Sequence, residues 1–124
     1  MIKNLLLVGI GGFIGSTLRY LIAIGIEKRL QGSFPIATFT VNIIGSLFLG
    51  LLIGYFAKGS LSDSYRLLLA VGVCGSFTTF STFAMENITL INKGELLVTF
   101  SYICLSLILG LAAALAGQIV SSKF

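Results

Sequence analysis

Apolar residues fill four stretches of the chain, 4–26, 35–56, 66–91 and 96–120, and short polar segments part them. A hydrocarbon core about 30 Å thick is crossed by about 20 apolar residues in a helix. Each stretch meets that length, so the pattern predicts four membrane spans. The separators are EKRLQGSF (27–34), AKGSLSDSY (57–65) and NKGE (92–95). The last is so brief that the third and fourth spans must be antiparallel neighbours. The expected architecture is an all-α membrane protein with one transmembrane domain over 1–124, a compact four-helix bundle. Lys3 before the first stretch gives it the look of a signal peptide. Its length, its Arg19, the spans that follow and the lack of a cleavage motif make it a span instead.

Small residues recur four apart: Gly11 and Gly15, Gly12 and Ser16, Gly50 and Gly54, Gly110 and Ala114, Ala113 and Gly117. Such spacing lets helices approach closely where lipid offers no hydrophobic drive. The run GIGGFIG (9–15) is similar to a dinucleotide-binding loop, but it has one residue too many before its last Gly and lies inside a span without strands. It is read as packing.

Composition agrees with lipid as the solvent: 56% hydrophobic and 10% charged residues, with mean hydropathy +1.07, leave too few polar side chains to cover a soluble surface. The net charge of +4 comes from scattered residues, with no basic stripe to follow a phosphate backbone, so no nucleic-acid partner is expected. Cys74 and Cys104 lie in apolar stretches and read as small buried hydrophobes. With no His and no Cys cluster, side-chain sites for zinc, iron or copper are excluded. A metal here would be held by oxygen.

Lys3, Lys58, Arg66 and Lys123 fall on one side of the membrane and Lys28, Arg29 and Lys93 on the other. This balance barely biases insertion. It suggests dual topology and an antiparallel dimer; the alternative is one orientation set by other signals.

Ionisable and amide groups at membrane depth are costly, and each is a functional candidate. Arg19, Asn42 and Glu86 all lie about 8–10 Å below the same surface at 1.5 Å per residue. Two arrangements suit them: a shared water-filled vestibule, or an Arg19–Glu86 ion pair with Asn42 bridging helices. In the third span, GVCGSFTTFSTF (72–83) places Gly75, Ser76, Thr78 and Thr79 near mid-membrane. Gly, Ser and Thr make poor helix, so a break is expected, facing the centre of the assembly and offering carbonyl oxygens to an ion; the alternative is a continuous Ser/Thr-rich helix that hydrogen-bonds its neighbours. Beyond it, Phe80 and Phe83 share a helix face beside Ser81 and Thr82. Aromatic edges carry partial positive charge, and hydroxyl and amide donors can replace an anion's hydration shell. Tyr102 and Ser106, four apart on the fourth span, add donors. Such a path suits a small anion.

At these residues the sequence resembles the small bacterial fluoride channels of the Fluc (CrcB) family over nearly its whole length. GGFIGSTLRY (11–20), TVNIIG (40–45) and GSFTTFSTF (75–83) carry the resemblance. It implies an antiparallel dual-topology homodimer in the cytoplasmic membrane, with two pores that export fluoride passively. By motif position, Phe80 and Phe83 correspond to the path-lining phenylalanines, Asn42 to the pore amide, Ser81, Thr82 and Tyr102 to a polar track, and Glu86 to the vestibule acid. Gly75 and Thr78 correspond to positions whose backbone carbonyls hold a central sodium ion, two from each subunit. Ser76 stands where many relatives are expected to have a second Gly. Arg19 fits either vestibule attraction or structural pairing. The alternative function is a small proton-coupled exporter, but that class depends on a membrane-embedded Glu in the first span, where this chain has Arg19. A non-transporting accessory subunit would need no mid-span break, and no nucleophile–base pair suggests an enzyme.

Overall fold

In the computed structural model, which describes residues 1–59 and 61–123, all regular structure is helical. Helix α1 runs Ile2–Glu27 and α2 runs Ile36–Ala57. The third span occupies Asp63–Asn92 in pieces: a single turn α3 (Asp63–Tyr65), a π-helical stretch Arg66–Cys74, a further turn α4 (Gly75–Phe77) and, after two extended residues, α5 (Phe80–Asn92). Helix α6 spans Leu96–Lys123. These are the four spans expected, each long and apolar enough to cross a membrane. The third begins three residues earlier than its apolar run suggested, because Ser62–Tyr65 already turn.

Local chemistry sets the boundaries. Pro35, with φ −76°, stands at the N-cap of α2, where its missing N–H costs no helix bond. Gly94 (φ +77°) ends α5, allowing the Glu95 amide to bond the Leu90 carbonyl (3.0 Å) and the Gly94 amide to bond that of Ile91 (2.9 Å). This paired closure needs a left-handed residue, which Gly adopts without a Cβ penalty. It turns the chain straight into α6.

Two pairs of spans pack backbone to backbone. A Cβ at Gly11 would meet Leu68 O, the Gly72 Cα (2.8 Å) and Val73 N, and one at Gly15 would strike Ser76 Oγ and Val73 O. Helix α1 therefore lies directly on the π-helical stretch. A Cβ at Gly50 would strike Ala114 O, one at Gly54 Ser121 Oγ, and one at Gly117 Leu47 O. Contacts climb both helices together, so α2 and α6 run parallel. Gly12 has open space around it, and Gly110 touches only Ser46 and Ile43 at about van der Waals distance; these two do not serve close approach within the chain. The side-chain core is small: Ala37, Val41, Cys74, Phe77, Leu90 and Tyr102. Dispersion between touching backbones replaces it, as lipid-embedded helices require.

Candidate functional site

The break in the third span consists of Thr78 (φ −79°, ψ 157°) and Thr79 (φ −148°, ψ 118°). It is narrower than the sequence implies, since Gly75 and Ser76 remain helical; the Ser76 hydroxyl bonds back to the carbonyls of Gly72 and Val73 (2.8 and 3.2 Å). β-Branched Thr tolerates extended backbone well. Asn42, from α2, holds the break as a neighbouring strand would. Its Oδ1 accepts from the Thr79 amide (2.8 Å), and its Nδ2 donates to the Thr79 carbonyl (3.1 Å). Thr79 then caps α5, its Oγ1 accepting from the Thr82 amide at 3.3 Å.

These bonds change which carbonyls are taken. In an unbroken helix the Thr79 amide would reach the Gly75 carbonyl and the Thr82 amide that of Thr78. Both donors are diverted, to Asn42 and to the Thr79 hydroxyl. The Cys74 carbonyl instead receives both the amide and the hydroxyl of Thr78, each at 3.1 Å. Arg19 Nε donates to the Ser76 carbonyl at 3.1 Å, placing a cation at the negative end of the first half-helix. Arg19 thus forms no ion pair with Glu86. Equal depth gave the two residues one level but not one side of the bundle.

Phe80 and Phe83 lie with ring centroids 5.8 Å apart and planes tilted by 37°. They line a groove of about 280 Å³ with Asn42, Ser46, Thr79 and Ser106, and among the described residues no charged side chain borders it. Phe80 is 79% exposed on the single chain. Ser106 Oγ is buried and unpaired. Gly75 and Ser81 are also exposed, while Thr78 is half-buried. Ser81 Oγ stands 3.5 Å from Thr79 Oγ1.

Glu86 and Thr82 belong to a different cavity, of about 350 Å³, at the end of the bundle where Glu27, Phe34 and Lys93 lie. Both oxygens of Glu86 are engaged, accepting from Thr38 Oγ1 and from the Tyr102 hydroxyl at 2.7 Å each. Tyr102 has no exposed surface. It and Ser106 therefore do not present a shared row of donors: Tyr102 is spent on Glu86, while Ser106 lines the groove. Of the three polar residues placed at one depth, Asn42 goes to the break and the groove, Glu86 to the end cavity and Arg19 to the half-helix end.

Thr38 and Ser46 hold or line the site without being marked by the sequence as site residues, and Thr79, expected only as part of the break, also caps α5 and pairs with Asn42. A Thr at 38 is one helical turn before Asn42 and Ser46 one turn after it, so three polar residues spaced four apart along α2 were the available signal.

A family model described as CrcB-like protein, Camphor Resistance (CrcB), matches residues 6–118. A protein of Flavobacterium psychrophilum named fluoride-specific ion channel FluC is 43% identical over 122 residues, 98% of each chain. One of the same name from Azobacteroides pseudotrichonymphae is 40% identical over the full length of both, and one from Bacteroides fragilis is 42% identical over 98% of each.

Proposed function

The chain belongs to the CrcB family, and from that premise we propose that it is a fluoride-selective channel of the cell membrane, releasing the ion passively and so conferring fluoride resistance. It is a multi-pass membrane protein that catalyses no chemical transformation. The observation that carries the reading is the groove beside the break: the rings of Phe80 and Phe83, the Asn42 amide and the unpaired Ser106 hydroxyl, with no carboxylate among them. Such a lining strips water from a small anion stepwise and offers hydrogen bonds in return. Thr82 and Glu86 stand at the approach, Ser81 and Tyr102 beside it. Both oxygens of Glu86 point into hydroxyl bonds, so its charge repels an entering anion less than a bare carboxylate would.

The working unit is an antiparallel homodimer of dual topology. On one chain the groove is open along Phe80, and backbone at Gly75 is uncovered near mid-membrane. Lipid satisfies no peptide group there, whereas a second copy facing it does. The nearly even Lys and Arg count across the two sides favours insertion both ways. The carbonyls of Gly75 and Thr78, deprived of their helical donors, form the kind of oxygen set that suits sodium. Sodium held there by both copies would supply positive charge countering the barrier an anion meets in hydrocarbon. Arg19 occupies the intervening carbonyl, leaving Gly75 for the ion.

Purified protein in liposomes tests the function. A fluoride gradient should collapse rapidly without any proton gradient; strict proton dependence would move the chain to the exporters. A C-terminal tag accessible from both faces of the membrane would support dual topology, and access from one face alone would end it.

A further inference from the structure

Phe34, in the loop between α1 and α2, belongs to no motif, yet its ring joins two parts of the site. It meets Phe39 edge-on (centroids 5.4 Å, 77°) and Tyr102 edge-on (5.3 Å, 71°). Tyr102 in turn meets Phe83 at 4.9 Å, and Phe83 meets Phe80. A run of rings thus extends from the end cavity, which Phe34 lines beside Thr82 and Glu86, to the groove at the break. Tyr102 is its central member, wholly buried, with its hydroxyl on Glu86.

The geometry points to Phe34 as a positioning residue for the anion path. It wedges Tyr102 against Phe83 and, standing in the end cavity, keeps water from the Tyr102–Glu86 bond. Phe39 holds Phe34 edge-on, and Phe34 in turn meets Tyr102 edge-on, a directional contact that an aliphatic group of similar size does not make. Losing the wedge lets the Tyr102 ring tilt, which frees Phe83 and exposes Glu86. The inference rests on the fluoride reading and adds to it a residue that acts through Tyr102.

The test measures fluoride efflux per dimer from liposomes for F34L, F34M and F34Y, alone and with Y102L. The aliphatic variants should lose flux by about five-fold, and F34Y, which keeps the ring, should retain it. In the Y102L background, where the ring that Phe34 bears on and its hydroxyl bond are both absent, F34L should cause little further loss. Equal flux in F34L and F34Y would overturn the assignment, and so would losses that simply multiply with Y102L. Failure of F34L and F34M to assemble, with F34Y intact, would make Phe34 a folding residue and overturn it equally. A wild-type protein that passes no fluoride would sink the fluoride reading and this inference with it; normal wild-type flux beside an unaffected F34L sinks only the role of Phe34.

Discussion

The two halves of the third span are held in opposite ways. Up to Phe77 the chain is pressed onto α1 through glycines, with Gly11 and Gly15 against the backbone of residues 68–73 and the side chain of Ser76. From Phe80 onward it is held through side chains: Thr38 and Tyr102 on Glu86, and Phe83 on Tyr102. The first half has no room to change and contributes only main-chain atoms to the site. The second half leaves grooves between its side chains, and these hold the candidate path residues. Between them, Asn42 fixes two threonines in place.

If the first half is scaffold, its glycines should be the least replaceable residues. Gly15→Val drives a side chain into Val73 O and Ser76, and overpacking against backbone costs about 1–3 kcal/mol or more. The expected result is loss of a monodisperse peak on size exclusion in detergent, whereas Gly12→Ala, which meets open space, behaves as wild type. A well-assembled Gly15→Val would erase the distinction between the halves.

Changes in the second half should spare assembly and strike transport. Phe80→Ile or Phe83→Ile is expected to lower fluoride efflux by about ten-fold, equivalent to about 1.4 kcal/mol on the barrier, with the oligomer unchanged by cross-linking. Wild-type efflux from both variants would refute a ring-lined path. At the junction, exchanging sodium for a large organic cation should loosen the dimer or stop conduction. If neither size exclusion nor efflux responds, Gly75 and Thr78 hold no ion. Asn42→Ala removes two bonds to the break, each worth about 0.5–1.5 kcal/mol net, so both melting temperature and efflux should fall. A drop in efflux alone would leave Asn42 in the path but not in the fold. The smallest effect is expected from Arg19→Gln, which withdraws a cation worth about 0.3–2 kcal/mol from a helix end. It should lower the thermal midpoint by a few degrees and change efflux less than the Phe variants do.

The spans were legible because hydrocarbon thickness imposes a length that any apolar run displays, and the break because Gly, Ser and Thr gather where leucine would be expected. Its width was not, since Gly75 and Ser76 stay helical under contacts from α1 that composition does not encode. The π-helical turns of Arg66–Cys74 left no trace in the sequence: RLLLAVGVC contains no proline, and its single Gly72 serves the close approach of α1. Depth counting found Arg19, Asn42 and Glu86 but not their partners, because a rise per residue gives height and no azimuth. Phe34 escaped notice by lying in a segment read as a polar separator. Tyr102 was recognised as a donor, but which acceptor it serves depends on a helix crossing that spacing alone does not define.

The uncovered backbone at Gly75 bears on biosynthesis as well. In the proposed dimer a newly inserted copy carries it into the bilayer before its cover arrives, and bare peptide groups in hydrocarbon cost several kcal/mol each. The solitary chain is then the state that membrane quality control would meet and remove. Steady-state abundance should consequently rise more steeply than synthesis rate, each additional copy shortening the exposure of those already waiting.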